Sequence, residues 1–447
     1  MEMILEFLRD ILSQPALLIG IMSCVGLIAL KRPFHKIMTG TLKPILGYLM
    51  LAAGAGVIVS NLDPLGKMIE HGFHITGVVP NNEAIVAVAQ KVLGVETMSI
   101  LVVGLLMNLL IARFTKFKYV FLTGHHSLFM ACLMSAVLGT AGLSGIELIL
   151  VGGFLMGAWS AISPAIGQSY TSKVTDGDEI ALGHFGSLGY YLSAWVAKYV
   201  GKAEESTEDI EIPEKWGFLR DSTLSTALTM IVFYLIAAIA AGSEFVATLS
   251  GSMSPYLFAI MSAMNFAVGV AIVYSGVRMI LGDLIPAFQG IATKIIPNAI
   301  PAVDCAVFFT YAPTAVVLGF ISSFIGGIIG MLILGAVGGV LIIPGLVPHF
   351  FCGATAGIYG NATGGRRGAA VGAFLNGLAI TFLPALALPV LGQLGFQNTT
   401  FGDADFAVIG LVLGNAFEWI GMAGIYGVVV IAALVLIIPN FIKTKGK

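Results

Sequence analysis

From Ala16 onward the chain is a succession of apolar runs, each about as long as a bilayer core is thick, joined by short polar pieces. A run of roughly 20 apolar residues spans about 30 Å of hydrocarbon as a helix. Within hydrocarbon every backbone N–H and C=O has to be paired inside its own segment or by surrounding protein. Together these constraints specify an all-α polytopic membrane protein. Hydrophobic residues make up 57% of the chain and charged ones 10%, where a soluble domain carries about 25% charge. A formal net charge of −2 offers no basic surface for nucleic acid. Cys24, Cys132, Cys305 and Cys352 stand singly in apolar surroundings with no C-x-x-C spacing, so they read as packed thiols rather than disulfides or metal ligands. The first apolar run has no small-residue cleavage site after it, and it is expected to serve as the targeting element itself.

The distribution of basic residues orients the chain. Lys31, Arg32, His35 and Lys36 follow the first span, Ala16 to Leu30, and Arg113, Lys116 and Lys118 follow the span Met98 to Ala112. By the positive-inside bias both joints are cytoplasmic, as is the tail bearing Lys443, Lys445 and Lys447. The N-terminus is then outside and the C-terminus cytoplasmic, which requires an odd number of crossings, about 11. Further spans are expected at Leu42 to Leu62, Val120 to Gly142, Ile146 to Ile162, Ser225 to Ala241, Pro255 to Leu281, Ala312 to Leu334, Val337 to Pro348, Ala370 to Leu391 and Phe406 to Ile442. Between them, Pro64 to Lys91, Pro164 to Val200, Pro286 to Pro313 and the Gly/Asn-rich stretch Phe350 to Arg367 are too polar or too broken for lipid. Discontinuous or re-entrant segments facing a cavity are the physical solution. Gly201 to Asp221, rich in glutamate, reads as a solvated joint.

That joint separates two similar halves. Ile300-Pro301-Ala302-Val303-Asp304-Cys305-Ala306 places a lone carboxylate in an apolar run, and Val79-Pro80-Asn81-Asn82-Glu83-Ala84 repeats the pattern, the acids lying 304 − 83 = 221 residues apart. Gly56-Val57 answers Gly276-Val277 at 220, Pro64 answers Pro286 at 222, and His125 answers His349 at 224. The expected organisation is a first half over 1–200, the acidic joint over 201–221, a second half over 222–395, and a C-terminal transmembrane helix with basic tail over 396–447. Halves with odd numbers of crossings insert with opposite orientation, an inverted repeat of the kind many secondary carriers use.

The polar residues within these segments are the site candidates. Intramembrane carboxylates cost roughly 2.5–3.5 kcal/mol on insertion scales, so function is the default for Asp304 and Glu83. Their alternative is structural ion pairing with Arg278 or Lys294. His125, beside Gly124, can exchange a proton or hydrogen bond with a polar ligand, and His126 either shares that role or caps a helix. His184, Asn82 and Gly353 of the glycine-rich stretch complete the substrate-binding set. Arg366-Arg367 reads as a topology signal. No Walker or Rossmann glycine pattern and no histidine metal spacing is present, so neither an ATP-driven pump nor a cofactor or metal site is expected.

Several motifs in order carry a family resemblance: Gly47-Tyr48, Leu122-Thr123-Gly124-His125, Val174-Thr175-Asp176-Gly177, Gly183-His184, Gly276-Val277-Arg278-Met279, Val303-Asp304-Cys305-Ala306 and Ile342-Ile343-Pro344-Gly345. From about residue 15 to 440 the chain resembles the ascorbate-type enzyme IIC of the bacterial sugar phosphotransferase system. The resemblance implies a homodimeric permease subunit of the bacterial inner membrane, with a core domain that moves against a scaffold domain as an elevator. It implies phosphorylation of the carried sugar acid by phosphorylated enzyme IIB, so the chain itself is not an enzyme and has no catalytic residue. It also implies that His125, His184 and Asp304 line a site for L-ascorbate. Two positions depart from the ascorbate pattern, with Asn82-Glu83 in place of Thr-Tyr and Phe129 in place of glutamine. A carboxylate at Glu83 repels an anion unless protonated or paired, which brings neutral or differently hydroxylated sugars into consideration. The competing reading is a proton-coupled carrier of a small polar or anionic solute using Glu83 and Asp304; a third is a channel.

Overall fold

The computed structural model describes Ile11 and residues 14–74, 77, 78, 80, 82–177, 179–210, 222–392 and 400–441. It is mostly helix. The first part contains α1 (Pro15–Ala29), α2 (Phe34–Phe73), α3 (Asn82–Phe114), β1 (Tyr119–Phe121), α4 (Gly124–Thr140), α5 (Gly145–Thr175), β2 (Ala181–Leu182) and α6 (Ser187–Val200). After the joint come α7 (Ser222–Ala241), α8 (Ser243–Ser250), α9 (Pro255–Lys294), β3 (Ile300–Val303), a 3-10 helix (Cys305–Thr310), α10 (Pro313–Ala336), α11 (Leu346–Gly392), α12 (Ala404–Ile420) and α13 (Met422–Phe441). Seven helices among the described residues are long and apolar enough to cross a bilayer, or eight if α7 and α8, bent by 117°, count as one span.

Helices α2 and α9 are each 40 residues long, about 60 Å at 1.5 Å per residue. They run against each other in opposite directions through paired glycines. A Cβ on Gly54 would lie 2.7 Å from the Gly269 carbonyl oxygen, and one on Gly276 would lie 2.6 Å from that of Gly47. Lipid tails do not drive helices together as water does, so association depends on close van der Waals contact, and small residues permit it. Helices α1 and α7 each pack on both α2 and α9. The remaining long helices form a second group, in which α11 packs on α10 and α6, and α3 on α5 and α4.

A small parallel sheet of order β1-β3-β2 lies within this second group. Val120 pairs with Pro301, and Leu182 with Val303. Two isolated parallel bridges, Val78 with Ile342 and Pro80 with Thr400, join other extended pieces of the chain. These pairings satisfy backbone groups that would otherwise stay unpaired where the chain is not helical.

Several sequence expectations are corrected by this arrangement. Helix α2 runs through Pro64 to Phe73, α5 through Pro164 to Thr175 and α9 through Pro286 to Lys294, so the broken regions are narrower than Pro64–Lys91, Pro164–Val200 and Pro286–Pro313 suggest. Near Pro64 the polar neighbours help: the Tyr234 hydroxyl donates to the Asn61 carbonyl, and the Asn61 amide to the Val57 carbonyl at 2.7 Å. The stretch Val337 to Pro348 is not a span, since from Val337 to Gly345 it is a turn followed by irregular chain with a single bridge at Ile342, and α11 starts only at Leu346. The span expected over Phe406 to Ile442 divides at Gly421, whose φ of 61° lies in the left-handed region.

Helix α11 is itself two helices. Gly364 and Gly365 leave helical geometry, Gly365 with φ 60°. A Cβ on Gly360 would lie 2.4 Å from the Gly368 carbonyl oxygen, so the chain folds back on itself there.

The first part of the acidic joint is docked rather than free. The Glu208 carboxylate accepts from the amides of Thr314 and Ala315, both at 3.1 Å, at the start of α10. An anion at a helix N-terminus pairs donors that have no partner within the helix. Asn361 accepts from the Thr207 amide at 2.8 Å, and the Glu205 carbonyl accepts from the Arg366 amide at 2.8 Å. The rest of the joint, 211–221, and the tail with Lys443, Lys445 and Lys447 lie outside the described residues.

Candidate functional site

A cavity of about 880 Å³ lies between one face of α2, from Tyr48 to Glu70, and the second group of helices. Five polar elements converge on it from segments far apart in sequence. Thr123 precedes α4, which puts His125 and His126 in its first turn after β1. β3 delivers Asp304 as the cap of the 3-10 helix, its Oδ1 accepting from the Ala306 amide at 3.0 Å. β2 ends two residues before His184, and the start of α3 presents Asn82. The segment before α12 presents Asp403.

His125 Nε2 lies 3.4 Å from Asp304 Oδ2. Its Nδ1 is 3.1 Å from the Tyr48 hydroxyl on α2. With the carboxylate facing Nε2–H, Nδ1 is the acceptor and Tyr48 donates, which fixes the ring between the two helix groups. Asp304 is buried, and the basic side chain that faces it is His125 rather than Arg278 or Lys294.

His126 and His184 are both buried, with ring centroids 3.8 Å apart. The Phe185 amide points at His126 Nδ1 from 3.4 Å, and the Gly186 amide donates to His184 Nδ1 at 3.1 Å, where the Tyr190 hydroxyl also arrives at 2.9 Å. Because both Nδ1 atoms accept, the neutral rings carry their protons on Nε2 and act there as donors. Phe129 lies edge-on to His125 at 5.8 Å between centroids, an apolar wall in the cavity.

Asp403 was not among the sequence candidates. Its Oδ2 accepts from Asn82 Nδ2 at 2.6 Å, its Oδ1 accepts from the Cys352 thiol at 2.9 Å, and Oδ1 lies 3.9 Å from His184 Nδ1. Asn82 Oδ1 in turn accepts from the Gly402 amide at 2.9 Å. A signal for Asp403 is present in the sequence: Gly402-Asp403 follows Gly183-His184 at 403 − 184 = 219, close to the offset of the other matches.

Polar atoms of His126, His184 and Asp403 come within 4.8 Å of one another, as do those of His184, Asp304 and Cys305. Such clusters have the size of a divalent-ion site, but the Nδ1 lone pairs are already engaged by backbone amides. The arrangement is therefore suited to hydrogen bonding of a polar ligand, with carboxylates as acceptors and imidazole N–H groups as donors.

The remaining candidates fall elsewhere. A Cβ on Gly353 would lie 2.4 Å from Ser323 Cβ, so this glycine serves the close packing of α11 on α10 and does not line the cavity. His349, the match of His125, is buried against α10, where its Nδ1 is 2.9 Å from the Ser323 hydroxyl. Glu83 lies in the first turn of α3, but its side chain is outside the described residues.

Comparison with known proteins accords with this arrangement. Residues 10–405 match the family of PTS system sugar-specific permease components. A relative from Mycoplasma pneumoniae, the ascorbate-specific PTS system EIIC component, is 26% identical over 417 residues, covering 80% of this chain. The chain spans 62% of the length of that relative. With a family match across most of its length, apolar helices able to cross a bilayer and a polar cavity among them, the chain belongs to the EIIC-GAT family of PTS sugar-specific permease components.

Proposed function

We propose that this protein carries a sugar or sugar acid, L-ascorbate or a compound related to it, inward across the bacterial inner membrane, and that phosphorylated enzyme IIB phosphorylates the cargo from the cytoplasmic side. The observation that carries the reading is the His125–Asp304 pair opening on a cavity of about 880 Å³, within a chain of this family. Fixed donors and acceptors in a water-poor cavity are what a hydroxyl-rich ligand requires. The name of the Mycoplasma relative supports ascorbate as the first candidate.

The architecture belongs to the same proposal: about eleven crossings, N-terminus outside, C-terminus cytoplasmic, and an inverted repeat. Support for the repeat comes from α2 and α9, which have equal lengths and start 255 − 34 = 221 residues apart. The pairing of β1 with β3 has a counterpart in the bridge of Ile342 with Val78 at nearly the same offset. Elevator motion of the second helix group against α2, α9 and their flanking helices is supported by the cavity's position between the two groups. The homodimer follows from the family resemblance. The basic joint Lys31, Arg32 and Lys36, all exposed, is the proposed docking face for enzyme IIB, joined by the second joint, Arg113, Lys116 and Lys118.

Uptake by membrane vesicles tests the reading. Phosphorylated product that appears only with added phosphorylated IIB supports it, and uptake of unmodified solute abolished by a protonophore supports the proton-coupled alternative.

A further inference from the structure

We infer that Asp403 is a specificity-determining residue of the cavity. Together with Asp304 it presents a pair of carboxylate acceptors that recognises hydroxyl donors of a polyhydroxylated ligand, and Asn82 is a positioning residue that aims Asp403. The inference rests on the reading of the cavity as the cargo site and names the chemistry by which that site selects.

Both carboxylates line the same cavity, both are buried, and polar atoms of each come within 4.8 Å of His184 ring nitrogens. An ionised carboxylate offers about four lone-pair sites. Asp403 uses two of them, one on each oxygen, for the Asn82 amide and the Cys352 thiol. Asp304 uses one for the Ala306 amide and faces His125 with its other oxygen. Each carboxylate keeps acceptor capacity that the protein leaves unfilled. Beside them the Nε2–H groups of the histidines are donors. A ligand hydroxyl, which both donates and accepts, completes such a set; an aliphatic or purely cationic ligand does not.

Asn82 has both ends of its amide occupied by the segment that bears Asp403, donating to the carboxylate at 2.6 Å and accepting from the Gly402 amide at 2.9 Å. It thereby ties the start of α3 to residues 402–403. Cys352 approaches the other oxygen from α11 at 2.9 Å. A carboxylate held from two separate helices is a preorganised group, and its ordering is completed before the ligand arrives.

The test is calorimetric titration of the purified full-length chain in lipid nanodiscs with L-ascorbate, 6-deoxy-L-ascorbate and D-glucitol. The tightest of these for the wild type is then titrated into Asp403→Asn, Asp304→Asn, Asn82→Ala and the double variant Asn82→Ala/Asp403→Asn. The expected result is a loss of about 5- to 150-fold for Asp403→Asn, the range for leaving one buried polar group unpaired. Asn82→Ala is expected to lose less, and the double variant no more than Asp403→Asn alone, because a positioning residue acts only through the group that it holds. If Asp403→Asn binds as the wild type does while Asp304→Asn is weakened, the inference falls and the cavity reading stands. If neither variant is weakened, the cavity reading itself falls. Absence of binding of all three probes to the wild type contradicts recognition of a polyhydroxylated ligand. Should Asp403→Asn not fold, Asn82→Ala still decides, since undiminished binding by that folded variant overturns its part in aiming Asp403.

Discussion

Asp304 and His125 meet in the cavity wall with Oδ2 and Nε2 3.4 Å apart, one on the cap of a 3-10 helix and the other in the first turn of α4. Parallel pairing of β1 with β3 makes the contact possible, since Asp304 follows β3 at once and His125 comes four residues after the end of β1. The pair joins the cap of a short helix to the wall of a cavity, and its two roles separate experimentally.

Asp304→Asn keeps an oxygen able to accept from the Ala306 amide, so the 3-10 cap survives while the charge is lost. His125→Ala removes the ring altogether. Both variants are expected to fold with thermal stability near that of the wild type and to bind cargo more weakly by about 1–3 kcal/mol. Ligand titration beside a thermal melt checks this; a melt that collapses for Asp304→Asn with binding intact in His125→Ala assigns the pair to the fold.

Tyr48→Phe deletes only the hydroxyl that donates to His125 Nδ1. The ring stays packed on α2, and the expected cost is about 1 kcal/mol in cargo affinity, roughly 5-fold. Equal affinity of the two proteins contradicts the assignment of His125 as a ring held by Tyr48.

Gly54 faces Gly269 where α2 crosses α9, with its hypothetical Cβ 2.7 Å from a carbonyl oxygen. Backbone cannot yield there as a flexible side chain would. Gly54→Val is expected to destabilise by about 1–3 kcal/mol or more through overpacking, read as a lower thermal midpoint in detergent. Gly56, whose Cβ would meet nothing within 4 Å, is the control, and Gly56→Ala should melt near the wild type.

Glu208→Gln keeps the size of the side chain but removes the charge from the start of α10. The expected loss is about 0.3–1 kcal/mol, the usual worth of an anion at a helix N-terminus, and it should shrink as salt is raised. A salt-independent loss would mean that packing of the joint, not charge, is what matters.

The class of protein was legible because apolar runs and scarce charge leave few alternatives, and the ends of α1, α7 and α10 lie within a few residues of the expected spans. His125, His184 and Asp304 were legible because each stands beside a glycine or follows a proline pattern in an apolar context. The continuity of α2, α5 and α9 through their prolines was not, because a proline removes one donor from a helix without ending it where protein surrounds the segment, and near Pro64 the Tyr234 hydroxyl adds a bond to the neighbouring Asn61 carbonyl. Asp403 lies in the stretch 396–447 read as a C-terminal helix and tail, where its one sequence signal is the match of Gly402-Asp403 to Gly183-His184; its contacts with Asn82 and Cys352 reveal it in space. Gly353 had the composition of a ligand-binding stretch, and the structure places it against Ser323 of α10 rather than in the cavity wall.

The central claim, group translocation through this cavity, is tested most directly in inverted and right-side-out vesicles loaded with radiolabelled L-ascorbate or related sugars, with and without phosphorylated enzyme IIB. The account predicts that label accumulates as phosphorylated product on the cytoplasmic side only when phosphorylated IIB is present, and that Asp304→Asn abolishes most of it. Accumulation of unmodified label that needs no IIB and disappears with a protonophore would contradict the account.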